Sequence, residues 1–193
     1  MFGLFKKSAP SPHYKVYATE VDKYRQLIKE IEISLDQHML VYHFHNTLDE
    51  MERLLAAAGL EYSKDPYSGA KLLLVDAEAL LSMRWPVDYW VKVVEIYPLS
   101  ERAAGLMYKA KEQSHSLEFY TAIDSPFFNL FGGERMQQLM QTLGIKGDEA
   151  IEHGMVNKAI RQAQDKIKAK LQLEVNEKES IERWMEVNKV NRE

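Results

Sequence analysis

Four short runs of strand-forming residues are spaced along the middle of this chain, with helix-patterned segments between them. The runs are Met39–His45 (MLVYHFH), Lys71–Val75 (KLLLV), Val91–Tyr97 (VKVVEIY) and Leu117–Thr121 (LEFYT). Met39–His45 is a short apolar run with little polar alternation, the signature of a strand buried on both faces. Strands that alternate with helices imply a parallel sheet covered by helices on both sides. This is the constraint on the fold: an α/β domain over residues 14–124, preceded by a tail at 1–13 and followed by a helical extension at 125–193.

The connecting segments carry their own boundaries. Thr19 is placed to cap a helix, with Asp22 near its positive end. Val21, Tyr24, Leu27, Ile28, Ile31 and Leu35 then recur at helical steps as one buried stripe. Thr47 with Glu50 makes a capping-box pattern for the next helix, for which Asn46 is an alternative cap. Leu48, Met51, Leu54, Leu55 and Ala58 form its core face, and Gly59 is the expected stop. Ala77–Met83 reads as a short helix that Trp85-Pro86 must break, and Leu99–Lys111 as a longer one. Ser125 is placed to cap a short helix ending near Phe131. Gly132-Gly133 permits a redirection, and Glu134–Leu143 is helical. From about His153 the apolar steps Val156, Ile160, Ala163, Ile167, Leu171, Val175, Ile181 and Trp184 predict one helix almost to the end. At more than thirty residues it would reach about 50 Å and must project, bend back or meet a partner.

With 193 residues the chain is long enough to bury a core without disulfides or metal. It has no cysteine, and its net charge is −4, so no global basic field draws it to nucleic acid. No apolar run approaches the about 20 residues that span a bilayer. The N-terminal MFGLFKK has the reverse order of a secretion signal. It reads as a tail, or as a segment for peripheral contact with a membrane or a partner. Absence of cysteine is compatible with the cytoplasm.

Several groups could carry chemistry, each with a plainer reading beside it. His43 and His45 lie two apart on a predicted strand, so both face one way near its C-terminal end. Asp49, Asp76 or His115 would have to complete a metal site; loop-edge histidines are the plainer reading, and no metal is expected. Asp76 and Glu78 could act as paired carboxylates or as helix caps. Met83, Trp85, Tyr89 and Trp90 form an aromatic cluster that is either core or a contact surface. Lys158, Arg161, Lys166, Lys168 and Lys170 read as the wet face of the last helix, and nucleic-acid binding is not expected.

Residues 119–170 carry a resemblance. Glu118-Phe119-Tyr120, then Asn129-Leu130-Phe131-Gly132-Gly133-Glu134-Arg135, then Leu139-Met140 and Leu143-Gly144, then Glu149-Ala150-Ile151-Glu152-His153 and Met155-Val156-Asn157-Lys158-Ala159-Ile160 follow an order found in SecA. SecA is the motor ATPase of bacterial preprotein translocation. The match resembles the end of its second nucleotide-binding domain and the start of its helical scaffold. Val16-Tyr17-Ala18-Thr19-Glu20 is similar to the opening of that same domain. The resemblance implies a RecA-like sheet of the helicase C-terminal type, and translocase components as protein partners.

The departures bear on activity. Where SecA has TNMAGRGTD after a strand, this chain has Asp76-Ala77-Glu78-Ala79-Leu80. Where SecA has the arginine-rich QLRGRSGRQGD, this chain has AGLMYKAKEQSH, and only Arg102 stands just upstream. No GxxxxGK(S/T) phosphate loop is present. The expectation is therefore a non-enzymatic protein with no catalytic residue and no cofactor of its own. It would act through protein contacts at Trp85, Tyr89, Trp90 and Trp184. The alternative is an accessory lobe that completes an ATP site in trans, with Arg102 or Lys109 supplying positive charge.

Overall fold

The computed structural model describes residues 12–130 and 149–190. Five parallel strands form one sheet: β1 (Tyr14–Tyr17), β2 (Gln37–Tyr42), β3 (Leu72–Asp76), β4 (Tyr89–Val93) and β5 (Leu117–Ala122). Their spatial order is β1-β5-β4-β2-β3. Helices α1 (Glu20–Ile33), α2 (His45–Ala57), α3 (Ala77–Ser82) and α4 (Ser100–Glu112) connect them in turn. After β5 come α5 (Pro126–Leu130), α6 (Gly154–Lys170) and α7 (Ile181–Val187). The α/β class, the parallel sheet and the helical extension are those expected from sequence.

Two cores flank the sheet. On one face Tyr24, Leu27 and Ile31 of α1 and Met51 and Leu55 of α2 pack on Leu40, Leu72, Leu74, Val94 and Tyr120. On the other, α3, α4, α6 and α7 cover Met39, Val41, Leu73, Val75, Val91 and Val93 through Leu80, Leu106, Ile160 and Trp184. Because both faces are covered, the central strands alternate between two apolar layers and read as unbroken apolar runs. Both sheet edges are blunted. Val16 of β1 exchanges backbone hydrogen bonds with Ile151, and Ser63 does the same beside β3. Blunted edges leave little backbone for another chain to extend.

Several sequence readings change. β1 was not anticipated as a strand. The predicted stripe of α1 is narrower, because Val21 is 63% and Leu35 96% exposed; α1 stops at Ile33, before Leu35. Thr47 does not cap α2: the helix starts at His45, and the Thr47 hydroxyl instead donates to Glu95. The predicted thirty-residue helix is broken. It ends at Lys170, an extended strap spans 171–180, and Ser180 caps α7 through the Arg183 amide. The chain thus bends back instead of projecting. Thr19, Gly59 and Asp76 do what was expected: Thr19 and Asp76 accept amides at the starts of α1 and α3, and Gly59 sits at φ +68 after α2. The predicted cap Ser125 leaves its hydroxyl without a partner. The Gly132-Gly133 break and the helix at Glu134–Leu143 lie outside the described residues.

Candidate functional site

The strand order fixes where a ligand of such a sheet would sit. The connection from β2 runs outward to β3, while that from β4 runs the other way to β5. The crevice beyond the C-terminal ends of β2 and β4 is therefore the switch point of the sheet. Three groups converge there: the loop from Tyr42 to the start of α2, the turn after β4 that carries Glu95, and the strap.

The start of α2 exposes backbone N–H groups that need acceptors. In this chain each acceptor is internal. The Glu95 carboxylate accepts the His43 amide at 2.6 Å and the Phe44 amide at 3.0 Å, and its second oxygen accepts the Thr47 hydroxyl at 2.7 Å. The His45 amide donates to the Lys178 carbonyl at 2.7 Å and the Asn46 amide to the Glu179 carbonyl at 3.0 Å. The Thr47 amide is taken by Asn46 Oδ1 at 2.8 Å. Burial pushes the Glu95 carboxyl up to about 7, against the pull of its three donors.

The strap is pinned by side chains as well. Lys178 Nζ lies 2.8 Å from Glu78 Oε2 and 3.1 Å from Asp76 Oδ2. Asn176 Nδ2 donates to Glu78, and the Tyr97 hydroxyl to Glu174. Behind the strap, α7 is anchored by Trp184 edge-on to Tyr97, with ring centroids 5.9 Å apart. Between strap and sheet about 10 Å³ of space remains, lined by His43, Asp76, Glu78, Tyr97, Arg102 and Lys178 among others. That is room for one water at most. Burial first, and then the Arg102 charge, hold the His43 imidazole down to about 3.

The predicted site residues separate. Arg102 lies over the Tyr97 ring at 5.3 Å and faces this closed space. Lys109 is at the other end of α4. Its Nζ donates to the Leu81 carbonyl, and it borders a groove of about 620 Å³ beside Trp85 and His115. The two cations proposed for nucleotide therefore do not share a site. Of the four aromatic residues predicted to make contacts, Trp85 (2% exposed), Tyr89 (5%) and Trp184 (0%) are core and Trp90 (44%) is exposed; Tyr67 and Tyr108, not singled out from sequence, are more exposed still. The first three can affect a contact only by holding up the surface above them. His43 and His45 do not pair: His43 is buried, while His45 is exposed at the start of α2. Among the described residues no group of three His, Asp or Glu is placed to hold a metal ion. Asp76 caps α3 and, with Glu78, pairs with Lys178. His153 caps α6, its Nδ1 accepting the Met155 amide.

Sequence reasoning missed three charged groups that the fold draws inward. Glu95 is half-buried. Lys23, 1% exposed, donates to the Val94 carbonyl and pairs with Glu20. Lys92, 3% exposed, bonds Glu30, Glu118 and the Tyr120 hydroxyl through Nζ on the α1 face. Burial raises the Glu118 carboxyl, but the hydrogen bonds from Lys15 and Lys92 outweigh it and leave it at about 2. A charge set inside an apolar run is the signal that Lys92 and Glu95 share, both lying in VKVVEIY.

Part of this chain is similar to known translocase subunits. It is 44% identical over 52 residues to protein translocase subunit SecA of Rubrobacter xylanophilus, a stretch that is 27% of this chain and 6% of that protein. It is 46% identical over 52 residues to the SecA of Acidithiobacillus ferrooxidans. With the SecA of Pelagibacter ubique it shares 32% over 72 residues, 37% of this chain and 8% of that protein. The matched stretches thus amount to less than a tenth of the length of these relatives. No model of a known protein family matches the chain. Among solved structures, the C-terminal part of the Fun30 ATPase domain superposes with a TM-score of 0.45 at 12% identity, over 77% of this chain and 54% of that one. No helix among the described residues is long and apolar enough to cross a membrane.

Proposed function

We propose that this chain is a non-catalytic, SecA-like protein that works by protein–protein contact in association with the preprotein translocation machinery, in the cytoplasm. The observation that carries this reading is the self-sealed switch point. The crevice where a parallel sheet of this kind takes its ligand is filled by Glu95 and by the strap, whose carbonyls occupy the amides of His45 and Asn46. A nucleotide would have to displace both. The local likeness to SecA supports the choice of partner. Of the four aromatic residues predicted to make contacts, Trp90, beside Lys92, is the exposed one.

The test is a titration of the full chain with a fluorescent ATP analogue and magnesium, alone and with purified SecA. The proposal expects no binding by the chain alone. It also expects the same affinity for SecA with and without nucleotide. Nucleotide binding, or partner affinity that requires nucleotide and is lost in Arg102→Ala, overturns it in favour of an ATP site completed in trans.

A further inference from the structure

The strap sits on the sheet as a bound peptide would, and its contacts define what the underlying groove selects. Four of them are made by main chain: the carbonyls of Lys178 and Glu179 accept the His45 and Asn46 amides, and the Val175 amide and carbonyl bond the Asn188 side chain at the end of α7. Any extended segment could supply these. The other contacts depend on side chains. Asp76 and Glu78 hold the Lys178 ammonium, Glu78 also accepts Asn176 Nδ2, and the Tyr97 hydroxyl donates to Glu174. Lys178 bonding lowers the Glu78 carboxyl below its usual range, so that carboxyl is charged at neutral pH. Acid and lysine are four positions apart, about 13 Å in an extended chain.

We infer that the C-terminal edge of the sheet is a docking groove for an extended partner segment carrying a carboxylate and, four residues later, a lysine, and that the strap occupies it in cis by imitation. The occupant is fixed by charge complementarity. Asp76 and Glu78 face an ammonium, and without one they would stand as two neighbouring carboxylates at the start of α3. The cis segment is tethered, so its effective concentration is of order millimolar. A partner segment must outcompete that, which makes the strap a brake on binding. Leu173, on the strap, is 82% exposed and contributes little to holding it down. This inference rests on the interaction reading above and supplies the chemistry of one contact.

The experiment uses the full chain and a labelled peptide with the sequence of residues 172–182. In Lys178→Glu the cis strap meets Asp76 and Glu78 with like charge, so the groove is vacated. Peptide binding is expected to be about tenfold or more tighter to this variant than to the unaltered chain. A peptide with norleucine in place of its lysine is expected to lose about two- to fivefold. Where Lys178→Glu does not fold, Lys178→Met keeps the stem and removes only the ammonium, and the same comparison is made on it. Amide exchange at His45 and Asn46 gives a second reading: faster in the variant, and slowed again by peptide. Equal peptide affinity for both chains, indifference to the norleucine change, or no peptide binding with unaltered exchange at His45 and Asn46 overturns the inference. Any of these, with no nucleotide bound, confines the failure to the groove. Nucleotide bound to the chain alone would instead bring down the interaction reading itself.

Discussion

Glu95 gives the sharpest test of how this fold is held together. Its carboxyl rises from 4.5 to about 7 on folding. A group whose folded form prefers the proton favours the folded state at low pH. That contribution is lost as pH climbs through 4.5 towards 7, and above 7 the charged carboxylate stays as a constant burden. A difference of about 2.5 units at 1.36 kcal/mol each gives an upper limit near 3 kcal/mol. Glutamine removes the titration with little change of shape. Its Oε1 can accept both the His43 and Phe44 amides, as Glu95 Oε1 does, while its Nε2 can donate to the Thr47 hydroxyl. The stability of Glu95→Gln relative to the unaltered chain is thus expected to rise by about 1–3 kcal/mol between pH 4.5 and pH 7.5. The comparison must be made as a difference. Buried His43, held at about 3, contributes the opposite slope below pH 6.5 and masks Glu95 in the unaltered chain. Urea unfolding followed by tryptophan fluorescence at four or five pH values measures this. A difference that stays flat across the range refutes the claim that burial holds the Glu95 carboxyl up. A difference that falls with pH shows that the three donors to the carboxylate outweigh its burial.

Other substitutions probe the remaining links. His43→Leu should remove the acid-side loss of stability that begins below pH 6.5, since an imidazole that must stay neutral when folded opposes protonation; unfolding at pH 4 and pH 7 shows whether it does. Trp184→Ala should cost about 3–5 kcal/mol, a large part of the stability of a typical domain, because it empties the anchor of α7; Leu173→Ser on the exposed strap should stay within about 0.5 kcal/mol in the same urea assay. Lys92→Ala leaves Glu30 and Glu118 facing each other without their shared cation. It should cost about 3 kcal/mol, and a further Glu118→Gln should recover part of that.

The sheet was legible because a strand buried on both faces is mostly apolar; Met39–Val41 of β2 and Leu72–Val75 of β3 obey that rule, and β4 does so apart from Lys92. β1 was not legible. It is four residues long, Tyr14–Tyr17, and includes a lysine that reaches Glu118 and Tyr120, so nothing in its pattern outweighs chance. The caps at Thr19 and Asp76 were readable because their oxygens act on amides two or three residues away. Thr47 misled for the same reason: the capping-box pattern is local, but a carboxylate 48 residues further on claimed the hydroxyl. The end of α6 carries no glycine or proline, and Leu171 continues the stripe at the right spacing. Lys178 and Glu179, whose carbonyls are drawn to the start of α2, help to turn the chain back. A terminus decided by contacts across the fold leaves no signal in its own window.

The site follows the same logic and bears on the proposed lack of catalysis. The differences from the glycine-rich and arginine-rich stretches of SecA are differences of individual side chains, and introducing those residues one by one would be the natural experiment. The geometry argues that this would not be enough. The amides at the start of α2 are taken by Glu95 and by the strap, and Arg102 is stacked on Tyr97 beneath the same strap. An arginine at Ala104 would enter a separate groove bordered by Tyr14, Ser100 and Gln164, and Leu106 is itself core. The strap is therefore the dominant constraint on what this edge of the sheet can bind. Variants that release it, at Lys178 before any other position, separate a groove that is closed but serviceable from one that has become part of the core.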